Sequence, residues 1–189
     1  MSQGSVIIYL FKKRTPMQEY VNTYKEIASK ATYGQIEQAS KWYIDAEKVA
    51  DKVADNLGIS LENAASVISA FSPRERWTAN VAKSIAFSLG QTPVGLSNNL
   101  RMAKAAVSIG FDALNGPKTN AFARAIAGDE NAVVVDVWMM RALGLEKKSP
   151  NKEEYKTIAR AIKTVATEFG MTPRAMQALI WIIVRGSAE

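Results

Sequence analysis

The spacing of apolar residues between Gly34 and Leu57 constrains the fold more than any other feature of the sequence. Apolar side chains recur there every three or four residues, at Ile36, Ala39, Tyr43, Ala46, Ala50, Val53 and Leu57. Because an α-helix has 3.6 residues per turn, this spacing puts the side chains in one stripe along a single helix. The pattern predicts a long amphipathic helix that buries this stripe and ends at Gly58.

Signals for further helix starts follow along the chain. Ser60 is a typical capping residue before an apolar run. The segment Ser72-Pro73-Arg74-Glu75 has a serine, then a proline, and a glutamate three residues after the serine, so it predicts a helix start and a helix reaching about Leu89. Further helices are predicted over 99–109, 118–127 and 137–143, and two more after Asn151 and Thr172. The sequence therefore predicts an all-α protein.

The beginning of the chain has a different pattern. Residues 6–12 are rich in β-branched and aromatic side chains, which favours a short strand or an extended arm. We therefore divide the chain into an N-terminal extended segment, residues 1–15, and a single helical domain, residues 16–189. The apolar run is too short to span a bilayer and its basic residues follow it, so we expect no signal peptide, no membrane anchor and a cytoplasmic location, which is the host cytoplasm for a viral protein.

Composition narrows the chemistry that is open to the chain. Cysteine and histidine are both absent, which excludes a disulfide, a thiolate nucleophile, a cysteine-bound metal cluster and a histidine base. We expect no cofactor and no metal, and any catalysis must use Asp, Glu, Lys, Tyr or a hydroxyl group. Lys and Arg number 24 against 18 acidic residues, a net charge of +6. This favours a polyanionic partner, with plain solubility as the alternative.

The most informative stretch lies between Leu114 and Asp136. Leu114-Asn115-Gly116-Pro117 predicts a tight turn that leads into a helix at Lys118, and the free N–H groups of such a helix start attract phosphate. Three valines precede Asp136. An acid that directly follows an apolar run is expected to be partly buried, where its protonation is controlled, and it can also cap the helix that begins at Val137.

These motifs resemble the helix-hairpin-helix DNA glycosylases, in particular the endonuclease III and 8-oxoguanine glycosylase branches. The turn at Gly116, the Lys118-Thr119 pair and the Val-Asp at 135–136 match in order, and the interval from Lys118 to Asp136 is 136 − 118 = 18 residues. The similarity covers about Gly58 to Gly186. The pair Trp42-Tyr43, with the Ser-Pro and Trp-Thr-Ala-Asn segments, is also similar to small phage and actinobacterial proteins.

The resemblance implies a helix-hairpin-helix glycosylase-like fold and cleavage of the N-glycosidic bond of a modified or damaged base that is flipped out of double-stranded DNA. It implies that Lys118 attacks the sugar, with possible strand cleavage, and that Asp136 stabilises the developing positive charge. The residues expected to contact DNA are Phe71, Arg74, Arg76, Gly116, Thr119 and Trp138.

Several alternatives remain open from the sequence. Lys118 can be an ordinary solvated lysine, and Phe71 and Trp138 can be core residues, because aromatic side chains at helical spacing usually pack. The hairpin keeps one glycine where the family usually has two, and Trp138 stands where a histidine is common. The protein can therefore be a catalytically silent DNA-binding module, or an enzyme that modifies bases of phage DNA on the same fold.

Overall fold

The computed structural model describes residues 15–95 and 97–186, and in this part of the chain all regular structure is helical. The helices are α1 (Pro16–Ser29), α2 (Tyr33–Leu57), α3 (Leu61–Phe71), α4 (Trp77–Ser88), α5 (Ser97–Ile109), α6 (Pro117–Ile126), α7 (Val137–Ala142), α8 (Lys152–Glu168) and α9 (Pro173–Arg185). A 3₁₀ turn, Gly110–Ala113, precedes α6. The prediction of an all-α protein is confirmed for the described residues. The predicted extended segment, residues 1–15, lies outside them except for Thr15, which caps α1.

Most helix ends follow the local signals in the sequence. The Ser60 hydroxyl accepts a hydrogen bond from the amide of Asn63, and Asn151 forms a capping box with Glu154. Gly58 ends α2 with a left-handed φ of 64°. The predicted stripe on α2 is buried from Ala39 to Val53, but Ile36 is 39% exposed because the first turn of the helix lies uncovered.

The predicted helix start at Ser72 is wrong. Ser72 follows the last turn of α3, and its hydroxyl donates to the carbonyl of Ser69 instead of capping a new helix. Arg74 has a φ of 66°, so the chain turns left-handed there and α4 begins only at Trp77. The local sequence is compatible with a cap, but the Ser72 hydroxyl bonds to the last turn of α3, the helix that it follows.

Helix α2 joins two groups of helices. On one side it packs against α3, α4 and α6, and α3 also contacts α5, so α3 is the buried centre of this group. On the other side α2 runs along α9, which packs with α1, α7 and α8. The buried residues of both groups form one continuous core. Within the described residues, no helix is long and apolar enough to cross a membrane.

A short non-helical run, residues 132–135, crosses between the two groups. Ala132, Val133, Val134 and Val135 are all buried, yet they pair with no β-strand in the described part of the chain. The run connects the end of α6 to Asp136 at the start of α7. It therefore carries Asp136 to the place where the two groups of helices meet.

Candidate functional site

A cavity of about 700 Å³ opens at the junction of the two groups of helices. Its wall is built from α2, the 72–76 turn, α4, the start of α6, the 134–138 segment, the 148–150 loop, α8 and α9. Ligand pockets for small molecules commonly measure about 300–1,000 Å³. The cavity is therefore large enough to hold a ligand of nucleoside size.

Aromatic rings form much of the cavity wall. All four tryptophans of the chain line it, together with two tyrosines and one phenylalanine: Trp42, Tyr43, Trp77, Phe122, Trp138, Tyr155 and Trp181. Trp42 lies at the centre, with ring centroids 5.1 Å from Trp77 and 6.1 Å from Trp181. Such a wall offers ring faces on which a flat heteroaromatic ligand can stack.

Positive charge predominates around the cavity. Five cationic side chains and two carboxylates line it. The carboxylates are Glu75 and Asp136, and the cations are Arg74, Arg76, Lys118, Lys148 and Arg185. Glu75 forms an ion pair with Lys83, so its charge is locally balanced. The remaining excess of cations favours a ligand that carries negative charge beside its flat ring.

Asp136 is the carboxylate with the most perturbed environment in the cavity. As predicted, it caps α7: one carboxylate oxygen accepts hydrogen bonds from the amides of Trp138 at 2.9 Å and Met139 at 3.1 Å. Burial raises the pKa of the Asp136 carboxyl above its ordinary value, while the Met139 hydrogen bond and the Lys118 ammonium partly oppose that rise. A carboxylate in this setting is held in one orientation at the edge of the cavity.

Lys118 lies on the same cavity wall, in the first turn of α6. Gly116, with a φ of 91°, and Pro117 at the first helical position set the direction of this helix start. The Lys118 side chain is exposed, and its charge is near enough to lower the pKa of Asp136. The two residues thus share one cavity although 18 positions separate them in the chain.

Tyr155 on α8 links the segments that carry this pair, and the sequence analysis missed it. Its hydroxyl donates to the carbonyl of Val133 at 2.9 Å, lies 3.3 Å from the carbonyl of Pro117, and accepts from the amide of Val135 at 3.3 Å. Burial raises the pKa of Tyr155 to about 12, so the hydroxyl keeps its proton at neutral pH. The capping box at Asn151 marks the start of α8, but nothing in the sequence reveals these partners.

Gln177 on α9 is a second residue that the sequence analysis missed. It lines the cavity and is only 4% exposed, and its Oε1 accepts a hydrogen bond of 2.7 Å from the buried hydroxyl of Tyr43. This bond fixes the orientation of the amide, which leaves its NH₂ group as the donor on the opposite side. The Gln177 amide can thus offer a donor to a ligand in the cavity.

Two of the predicted DNA contacts, Phe71 and Thr119, are buried. Phe71 is 3% exposed and packs edge-to-face on Phe87, so its ring lies in the core rather than on a surface that could enter a duplex. Thr119 is buried, and its hydroxyl donates to the carbonyl of Asn115 at 2.8 Å. Neither side chain lines the cavity.

The other predicted contacts lie on or near the surface. Arg74 and Arg76 are exposed at the cavity wall, and Arg74 is the non-glycine residue with positive φ in the described chain. Trp138 is half-buried in the cavity, with the Arg141 guanidinium 4.7 Å above its ring. Gly116 is exposed beside a second, more open depression that also contains Arg124.

A search for groups of histidine, cysteine, aspartate or glutamate that could hold a metal ion found none among residues 15–95 and 97–186.

Over residues 15–95 and 97–186, the fold and the cavity define an all-helical protein with an aromatic pocket that cationic side chains surround. Over residues 8–188 the chain matches a family of unknown function, DUF7178, and it belongs to that family. A search of curated proteins gave no match, and neither did a search of solved structures.

Proposed function

We propose that this protein is a cytoplasmic DNA N-glycosylase of the helix-hairpin-helix type, with lyase activity, that acts on a modified or damaged base flipped out of double-stranded DNA. One observation carries the proposal: Lys118 and Asp136, the two residues expected to be catalytic, lie on the wall of the same aromatic cavity. An amine, a carboxylate and stacking rings around a pocket of about 700 Å³ are the groups that base excision requires.

The aromatic wall supports the binding of a flipped base. Stacking of a base on an aromatic side chain is worth about 1–3 kcal/mol, which offsets much of the few kcal/mol that unstacking from the duplex costs. Trp42, Trp77 and Trp181 supply ring faces, and the NH₂ group of Gln177 supplies a hydrogen-bond donor for a carbonyl oxygen or ring nitrogen. A base is thus held by its face and by its edge.

The cations support the binding of the DNA backbone. Arg74 and Arg76 lie on the exposed turn between α3 and α4, next to the cavity. Arginines at the mouth of a base pocket neutralise the phosphates that flank the flipped nucleotide and fix its register without reading sequence.

In the proposed reaction, the Lys118 ammonium gives up a proton to solvent, and the resulting amine attacks C1′ of the sugar. The glycosidic bond breaks and its electron pair leaves with the base, which takes up a proton. The nitrogen loses a proton to solvent, the C1′–O4′ bond breaks with its electron pair on O4′, which takes up a proton, and the nitrogen lone pair forms the C=N bond of a Schiff base. Loss of a proton from C2′ then expels the 3′ phosphate. The Asp136 carboxylate stabilises the positive charge that develops on the sugar.

Borohydride trapping tests this proposal. The protein is incubated with duplexes that carry oxidised, alkylated or deaminated bases, or an abasic site, and borohydride reduces any Schiff base to a stable adduct. We expect an adduct from the wild type and none from Lys118→Gln, while DNA affinity stays within a few-fold. Lys52→Gln, an exposed lysine on α2 outside the cavity, is the matched control and should trap normally.

Asp136→Asn should slow base release by about a hundredfold or more, the loss expected when an electrostatic stabiliser is removed. DNA binding without any adduct or base release across the whole panel would refute the glycosylase proposal and favour a silent DNA-binding module. Turnover of a base that remains attached to its sugar would favour a base-modifying enzyme instead.

A further inference from the structure

Lys118 and Asp136 line the same cavity but lie at the starts of two different helices, so other residues must hold these two helix starts together. Lys118 is in the first turn of α6 and Asp136 directly follows the run 132–135, so the two belong to different segments. Asp136 directs its capping oxygen to amides of α7, and Lys118 is exposed. The relative position of the two residues therefore depends on the backbone segments that carry them.

The backbone N–H and C=O groups around Val134 need hydrogen-bond partners. In an extended chain, the carbonyl of one residue and the amide of the residue two positions later point to the same side, and a neighbouring strand would normally bond to both. Residues 132–135 have no strand partner within the described chain. Their buried polar groups must still be satisfied.

The Tyr155 hydroxyl takes the place of that missing strand. It donates to the carbonyl of Val133 and accepts from the amide of Val135, the two groups on one side of the run. It also lies 3.3 Å from the carbonyl of Pro117, the residue directly before Lys118. One hydroxyl thus touches the residue before each member of the proposed reactive pair.

We infer that Tyr155 is a positioning residue that sets the distance between Lys118 and Asp136 by joining the start of α6 to the run 132–135. The inference rests on the proposed function for its consequence in catalysis, but the positioning itself does not depend on which reaction occurs. Tyr155 need not touch the substrate. It acts through the two backbone segments that it holds together.

Tyr155→Phe tests the inference, because it removes the hydroxyl and keeps the ring. Without the hydroxyl, the start of α6 and the run 133–135 lose their common partner, so the Lys118 ammonium moves away from Asp136. An ammonium nearby favours the carboxylate, so its withdrawal should shift the titration midpoint of Asp136 to higher pH. Carbon NMR of the side-chain carboxyl, assigned with Asp136→Asn, measures this in the protein without DNA.

Other groups also face Asp136, and Tyr155→Phe leaves all of them in place. They are Tyr24 of α1, Tyr43 of α2, and the Trp181 side chain of α9, besides Lys118 and Tyr155 themselves. Tyr24→Phe is the matched control, since the Tyr24 hydroxyl is also buried and donates to a carbonyl, that of Met139 at 2.8 Å, but bridges no second segment. It should lower stability and leave the Asp136 midpoint where it is.

On a substrate that the wild type cleaves, Tyr155→Phe should slow adduct formation by about tenfold to a hundredfold, as expected for a small misplacement of reacting groups. Its DNA affinity should stay within about threefold, and Tyr24→Phe should react at close to the wild-type rate. An unchanged midpoint and an unchanged rate in Tyr155→Phe would overturn the inference, as would an equal shift in Tyr24→Phe. If the wild type forms no adduct, the proposed function fails, while the NMR midpoint still decides the positioning role.

Discussion

Replacing Asp136 with asparagine should make the folded protein more stable at neutral pH. Burial raises the pKa of this carboxyl, so its ionised form is less favourable in the folded chain than in the unfolded chain. Asparagine caps a helix about as well as aspartate, so the amides of Trp138 and Met139 keep their acceptor. The substitution therefore removes the cost of burying a charge and preserves the cap.

The size of the gain follows from the same linkage. Each tenfold difference in acid dissociation between the folded and unfolded states corresponds to about 1.4 kcal/mol. The gain is therefore set by how far burial raises the pKa of Asp136 above its value in the unfolded chain, and each 1 kcal/mol gained raises the Tm of a chain of this length by roughly 2–4 °C. The gain should shrink as pH falls through the folded-state pKa and vanish below the unfolded-state pKa, because wild-type Asp136 is then neutral in both states.

Thermal denaturation followed by circular dichroism, from about pH 4 to about pH 8, measures this effect. Asp136→Ala distinguishes the effect of the charge from the effect of the helix cap. It removes both the charge and the acceptor of the two backbone N–H groups of α7, and the loss of the cap costs about 0.5–2 kcal/mol. Asp51→Asn, at an exposed position on α2, controls for the change in net charge. If Asp136→Asn melts at or below the wild-type temperature at neutral pH, or if its gain is the same at every pH, the argument from burial is wrong.

Two further predictions concern the turn between α3 and α4. Arg74→Gly should raise the free energy of unfolding by up to about 1 kcal/mol in urea denaturation, because glycine adopts positive φ without the strain of a side chain. Arg76→Gln should lower the slope of log Kd against log salt concentration by about 1, measured by anisotropy with a labelled duplex, since one phosphate contact is lost. An unchanged slope, equal to that of the control Lys52→Gln, would show that Arg76 contacts no phosphate.

Helix starts could be predicted where the cap and its partner are close in sequence. Ser60 and the Asn151 capping box form their bonds within three residues, so their residue types alone reveal the structure. Ser72 has the same local chemistry but follows α3, and its hydroxyl bonds back to that helix. The left-handed turn at Arg74 then delays α4 until Trp77, a result of tertiary packing that a local pattern does not contain.

The candidate site was only partly predictable for the same reason. The Lys118 and Asp136 positions stand out because each follows a distinctive local sequence, a Gly-Pro turn and a valine run. The hydroxyl of Tyr155 finds its partners 22 and 38 positions away, so no window of the sequence shows them. For Phe71 the sequence left both a DNA contact and a core position open, and the structure packs its ring against Phe87 in the core.

The placement of the tryptophans gives the protein a built-in optical reporter. All four indoles of the chain line the cavity, so its intrinsic tryptophan emission originates around this one site. A base that stacks there should quench that emission directly, whereas a duplex bound only through surface arginines should leave most of it unchanged. Binding of the backbone and entry of the base can thus be distinguished on unlabelled protein, and a stopped-flow trace should resolve them as separate steps in time.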